Sequence, residues 1–243
     1  MIEHFIYMLP LLILLSGTVL FAIRNFAPEA TPQCFKLCRL VLVISFVLNI
    51  IFYNKPMLIG LSSANHLTLL YISWLYGAAF LTLYLARRWY SGMKQSGSGF
   101  CSAVILAVIA GCLLIISKNL FLTAGAIILF MLAGYQMLNA DGENNQIIKQ
   151  TKAYLRTMQI LLLLLFAAVG KIYHQSGAAD YIAVNRFLSQ NQNDFLLYGA
   201  VCVLILALMF LMAAAPLQYW LTALAPKINL PVSTYFMLLP ITA

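Results

Sequence analysis

Apolar stretches of 17 to 21 residues alternate with short polar connections along almost the whole chain. They cover residues 5–23, 37–53, 67–86, 100–117, 120–138, 154–171 and 195–215, and a partial eighth runs over residues 230–243. About 20 mostly apolar residues carry a helix across a bilayer. In lipid every backbone N–H and C=O needs a partner within the protein, so such stretches are helices or strands of a closed barrel. Barrel strands alternate apolar and polar residues, whereas these stretches are continuously apolar. The pattern predicts an all-α fold, a polytopic transmembrane helix bundle of about seven or eight helices, with residues 1–243 as a single transmembrane domain. No basic segment precedes residues 5–23, and that run exceeds the apolar core of a usual signal peptide, so it reads as a retained first helix.

The connections carry the charge. Arg24, Lys36 and Arg39 flank the first, Arg87, Arg88 and Lys94 lie in the third, Lys149, Lys152 and Arg156 flank the fifth, and Lys227 lies in the seventh. The remaining connections hold only Lys55, Lys118, Lys171 and Arg186. Basic residues accumulate on the cytoplasmic side, so the odd connections are expected inside and the N-terminus outside, in a bacterial inner (cell) membrane. Residues 91–99, rich in Gly and Ser, and the very polar residues 185–194 read as plain solvated connections.

Composition supports the bilayer assignment: 63% of residues are hydrophobic and 8% charged, against about 45–50% and 25% in soluble domains. The net charge of +8 does not indicate nucleic acid, because the basic residues are dispersed, with no aromatic-interleaved patch. The lipid bilayer is the expected partner.

Catalytic chemistry is sparse. Glu3, Glu29, Asp141, Glu143, Asp180 and Asp194 are the only acids, and all lie outside the apolar runs. No nucleophile elbow, zincin motif, phosphate loop or dinucleotide fingerprint occurs, so there is no catalytic constellation and no expected cofactor. Cys34 and Cys38 are spaced to share a helix face, but no second pair or nearby histidine completes a zinc set. His4, His66 and His174 are isolated, so no metal site is expected. An ionisable group at mid-membrane is a functional hypothesis by default. Lys118, in a tight turn between two runs, and Lys171 and His174, at the end of the sixth, are the only candidates for an ion path. Both lysines also have the plainer role of snorkelling to headgroups.

The seventh run ends in an interruption. Pro216 removes a backbone donor and clashes with the preceding turn, and Pro226 and Pro231 follow. The intervening segment can restart as a half-helix or lie at the interface, where Tyr219 and Trp220 suit the headgroup level. Interrupted helices occur in membranes where protein buries them or water lines them, and transporters place ion sites there.

The sequence Pro216-Leu217-Gln218-x-Trp220-Leu221, followed by Pro231-Val232-Ser233, resembles a signature of antiporter-like membrane subunits. These include the proton-translocating subunits of respiratory complex I (NADH-quinone oxidoreductase), the large subunit of multisubunit sodium/proton antiporters, and the membrane subunit of inorganic-carbon transporters. The family motif reads roughly P-(L/F)-(Q/H)-x-W-L … P-(T)-P-V-S-A-L-I-H-A, at a broken seventh helix and the start of the eighth. Ser117-Lys118-Asn119-Leu120 and Tyr135-Gln136-Met137-Leu138 resemble the family's fourth-to-fifth hairpin. The resemblance covers this chain end to end but only the N-terminal half of the family's fourteen-helix unit.

It implies a glutamate seven residues before Tyr135, a lysine five before Pro216 and a histidine four after Ser233. Here those places hold Ile128, Leu211 and Met237, and proton movement needs groups that take and release protons. The resemblance therefore implies a divergent, non-redox subunit of a multi-subunit cation- or proton-coupled transport complex, not conducting protons by itself, with other membrane or peripheral subunits as partners. A truncated fragment without activity and an unrelated small-molecule transporter are the alternative readings.

Overall fold

Continuous apolar runs leave the backbone no partner but itself, and the chain folds accordingly into helices. The computed structural model describes residues 9–23, 31–51, 66–90, 97–140, 145–190, 194–214, 218–224, 226 and 228–242. Ten described helices follow in order: α1 (Leu9–Ile23), α2 (Thr31–Ile51), α3 (His66–Tyr90), α4 (Ser98–Ile116), α5 (Leu120–Ala140), α6 (Asn145–Ser176), α7 (Tyr181–Gln190), α8 (Phe195–Leu211), α9 (Tyr219–Leu224) and α10 (Leu230–Thr242). Five of them, α2 to α6, are long and apolar enough to cross a membrane, and α1, α8 and α10 are shorter apolar helices. The all-α polytopic membrane bundle is as the apolar pattern requires.

The centre is α4. Its apolar window is 72% buried, against 33% for those of α2 and α6, and it packs most extensively against α5 and α1, then α3, α2 and α10. Lipid tails are as apolar as a leucine side chain, so membrane helices associate through close packing, which small residues permit. Ala103, Ala107, Ala110 and Gly111 supply such a surface on α4. Gly17 does the same for α1: a Cβ there would lie 3.0 Å from Val41 Cγ1 on α2 and 3.5 Å from Ile105 Cδ1 on α4. A second group forms where α6 packs on α8 and α9, and α10 returns to lie mainly along α3.

Two polar features fix the bundle. In its interior, Ser45 Oγ and Tyr76 Oη are 2.6 Å apart, Asn49 Nδ2 donates to Tyr76 Oη at 3.0 Å, and Ser45 Oγ donates to the Pro10 carbonyl at 3.2 Å. These bonds join α1, α2 and α3. At one end, the α4–α5 turn is fastened to the α6–α7 turn by backbone bonds from Leu120 N to Ala179 O (2.8 Å) and from Tyr181 N to Lys118 O (3.0 Å). Thr123 Oγ1 bonds both Ser117 Oγ (2.9 Å) and the Tyr181 hydroxyl. Gly177, with φ of +64°, ends α6 in the left-handed conformation that glycine adopts without steric cost.

Several boundaries differ from the apolar pattern. The sixth helix extends well beyond residues 154–171 at both ends, because its polar first turns continue the helix outside the apolar core. The polar connection after it contains α7, whose Val184 is buried while Tyr181, Ile182, Asn185, Arg186, Ser189 and Gln190 face outward. That arrangement is an amphipathic helix capping the bundle, not a plain solvated loop. Helix α8 stops at Leu211, four residues before the end of its apolar run.

Candidate functional site

The interruption after α8 is built by a specific backbone device. Ala214 N donates to Met209 O at 2.9 Å and Ala213 N to Phe210 O at 3.1 Å. This pair of bonds is the Schellman motif, which satisfies carbonyls otherwise orphaned at a helix C-terminus. It places one residue in the left-handed region, usually glycine; here it is Ala213, with φ of +48°. The chain restarts at Gln218, whose carbonyl accepts Leu221 N (3.0 Å) and Thr222 N (3.1 Å) to open the short helix α9.

Trp220 closes the gap. Its indole Nε1 donates to the Phe210 carbonyl at 3.3 Å, so one oxygen at the end of α8 accepts from both the Schellman turn and α9. Trp220 is 6% exposed, so its indole packs inside the bundle. Around it stand Phe210 (α8), Tyr154 (α6) and Phe236 (α10), at centroid distances of 5.3, 5.2 and 5.2 Å. Tyr154 stacks on Phe210 at 5.7 Å and donates its hydroxyl to the Met131 carbonyl of α5 at 3.3 Å. Gly134 makes room for this cluster, since a Cβ there would lie 2.7 Å from Tyr154 Oη and 3.1 Å from Phe236 Cε1. Aromatic pairs in such offset or tilted arrangements contribute about 0.5–1.5 kcal/mol beyond their buried area.

The motif residues divide around this cluster. Trp220 is in it, Leu221 packs against the core, and Gln218 is exposed. Pro216 and Leu217 lie outside the described residues. Pro231 and Val232 are buried in the first turn of α10, where a proline's missing N–H has no intrahelical partner to lose. Ser233, half-buried, donates its backbone N–H to Asn229 O at 3.0 Å. Of the three places where the resemblance implies protonatable groups, Leu211 is buried at the end of α8, Ile128 is partly buried on α5, and Met237 is 48% exposed on α10.

Lys118, Lys171 and His174 are elsewhere. They gather at the end of the bundle where the α4–α5 and α6–α7 turns meet. Lys118 and His174 are exposed there and Lys171 is partly buried. Lys171 acts on Asp194, the N-cap of α8, whose carboxylate accepts from Gln175 Nε2 (2.8 Å), Leu196 N (3.0 Å) and Leu197 N (3.2 Å). The Gln175 bond first, then the Leu197 N–H and the Lys171 charge, hold the Asp194 carboxyl below the usual aspartate range. This is a capping arrangement.

The aromatic cluster was not readable from spacing. Tyr154 beside Arg156 looks like an ordinary helix entry, and Gly134 carries no local signal. Among the described residues no group of three or more His, Cys, Asp or Glu is arranged to hold a metal ion.

The fold defines an integral membrane helix bundle with an aromatic-sealed helix interruption. It is similar to a solved chain titled respiratory complex I from Thermus thermophilus with bound aureothin, with a TM-score of 0.74 and 16% sequence identity. The match covers 96% of this chain and 52% of that one, so the chain spans about half the length of its structural neighbour. At this identity the likeness concerns the fold. No known family pattern matches the chain, and no curated protein does.

Proposed function

We propose that the chain is a divergent antiporter-like membrane subunit of a multi-subunit, cation- or proton-coupled transport complex, holding partners in place without conducting protons itself. The observation that carries this reading is an interrupted helix retained in a complex I-like fold but sealed by Tyr154, Phe210, Trp220 and Phe236. Helices α4, α5, α8, α9 and α10 contain no Lys, Arg, His, Asp or Glu. A proton path through them has no side chain of suitable acidity to run along. In this reading Pro216, Leu217, Gln218, Trp220, Leu221, Pro231, Val232 and Ser233 are the frame of a former ion site, and Lys118, Lys171 and His174 serve the bundle's end.

The membrane is the bacterial cell membrane and the N-terminus lies outside, as the excess of basic residues in the odd connections supports.

Two measurements test the proposal. Affinity purification of the tagged full chain from its native membrane is expected to bring down stoichiometric membrane partners. Purified chain in proteoliposomes is expected to show no proton or sodium flux above empty vesicles. Flux by the chain alone removes the non-conducting reading, and purification as a lone chain removes the subunit reading.

A further inference from the structure

Arg39 is a cation set into a spanning helix, and no described anion answers it. It lies on α2 within the apolar span Gln33–Ile51. Its Nε donates to the Phe35 carbonyl at 3.3 Å, an oxygen that the helix already uses for the residue 39 N–H. Its Nη2 is shielded from solvent and has no hydrogen-bond partner. An unpaired guanidinium inside a span is unfavourable, and it marks a place where a partner of opposite charge binds. The described carboxylates are too far away to be that partner. Asp180 lies in the α6–α7 turn and Asp194 caps α8, both at the far end of α4. Arg39 is at the near end, where Phe35, Tyr90 and Phe100 meet with ring centroids 5.5 to 6.3 Å apart. The 19 residues of α4 put about 28 Å between the two ends.

The surroundings of Arg39 are basic on one side and apolar on the other. Helices α2 and α3 run antiparallel, since Tyr76 bonds Ser45 and Asn49 while Tyr90 adjoins Phe35. At the helical rise, Arg39 lies about 6 Å inward of Phe35 and Arg87 about 4.5 Å inward of Tyr90, so the two are near one level. Lys36, one turn before Arg39, is exposed, and so are Arg87 and Arg88. From Lys36 the exposed face of α2 continues through Leu40, Val43 and Val47, whose spacing of three and four residues makes one stripe. A ligand for this place needs an anionic head and an apolar tail. We propose that the α2–α3 end is a binding site for an anionic phospholipid, its phosphate on Arg39 and Lys36 and an acyl chain along Leu40, Val43 and Val47. Arg39 is only partly buried, and rotation of its outer torsions carries Nη2 to a phosphate beside Leu40. A guanidinium bonds two phosphate oxygens at once. Arg87 and Arg88 favour a headgroup of net negative charge over a zwitterionic one, whose cation they repel. A free phosphate has the head without the tail and gains nothing from the stripe.

The test uses the purified full chain, delipidated in detergent, and follows its thermal midpoint as dioleoyl phosphatidylglycerol is added. A ligand that binds the folded state raises the midpoint by mass action. Phosphatidylglycerol is expected to raise it, while dioleoyl phosphatidylcholine or inorganic phosphate at equal concentration leaves it in place. Arg39→Gln should weaken the apparent affinity for phosphatidylglycerol about fivefold and Lys36→Gln/Arg39→Gln about 25-fold, the size expected per basic residue at an anionic lipid. Without lipid, Arg39→Gln should melt no lower than the unsubstituted chain, because it removes an unpaired charge. Lys149→Gln/Lys152→Gln takes equal charge from the exposed first turns of α6 at the same end and should keep the full response. An equal shift with phosphatidylcholine or inorganic phosphate, an undiminished response in Lys36→Gln/Arg39→Gln, an equal loss in the α6 pair, or a lipid-free midpoint lowered by Arg39→Gln each overturns the proposal.

Discussion

The indole of Trp220 donates to the carbonyl of Phe210 across the interruption between α8 and α9. The same carbonyl accepts from Ala213 N, so it anchors both the end of one helix and the beginning of the next. Trp220→Phe keeps a ring but deletes the donor and leaves unfilled volume. A hydrogen bond contributes about 0.5–1.5 kcal/mol net, and a large-to-small change adds a cavity cost. The variant is expected to lose about 2 kcal/mol, read as a lowered thermal midpoint in detergent. An unchanged midpoint would mean that the indole does not hold α9 to α8.

Ala213 takes the left-handed conformation at a cost of about 1–2 kcal/mol for an L-residue. Glycine occupies that region freely but is more costly to order. Ala213→Gly is therefore expected to stabilise the chain by about 1 kcal/mol, and Ala213→Val, with its branched Cβ, to destabilise it. Thermal unfolding of both variants checks the opposite signs.

Gly134→Ala drives a methyl to 2.7 Å from Tyr154 Oη and 3.1 Å from Phe236 Cε1. The packed rings around Tyr154 restrict its retreat, and overpacking of this kind costs about 1–3 kcal/mol. Tyr154→Phe removes the nearest clashing atom. The double variant Gly134→Ala/Tyr154→Phe should thus be less destabilised than the sum of the singles, a coupling that a double-mutant cycle measures.

Tyr76 bonds both Ser45 and Asn49 in the apolar interior. Hydrogen bonds between membrane helices average about 0.6 kcal/mol, because the unfolded chain in lipid also finds partners. Tyr76→Phe should cost about 1–2 kcal/mol in resistance to unfolding in mixed micelles. A larger loss would mark the cluster as more than a helix tie.

Asp194 sets an acid limit. Its folded pKa lies below its ordinary value of 3.8, first through Gln175 and then through the Leu197 N–H and the Lys171 charge. A depressed carboxyl pKa contributes stability that is present above the unfolded value and lost as pH falls through the folded one. Stability should therefore fall below about pH 4. Asp194→Asn keeps an N-cap but should flatten that limb of the pH–stability curve. An unaltered acid limb would remove Asp194 as its source.

Most spanning helices were legible because hydrocarbon permits a long apolar run no other open structure. Helix ends were less so. The polar first turns of α6 continue the helix where water begins, and α7 hides its period of 3.6 within residues that look like a loop. The interruption was visible in Pro216, Pro226 and Pro231, yet its closure was not. The indole of Trp220 can face outward or pack inward, and only the ring neighbours Phe210, Tyr154 and Phe236, far apart in sequence, set it inside.

The backbone bonds between Leu120 and Ala179 and between Tyr181 and Lys118 act as a rivet at one end of α5 and α6. A tilt of one helix against the other must pivot there. Displacement then grows along the lever toward Tyr154, so a partner pressing on the far end of α6 would first pry at the ring cluster that seals the interrupted helix.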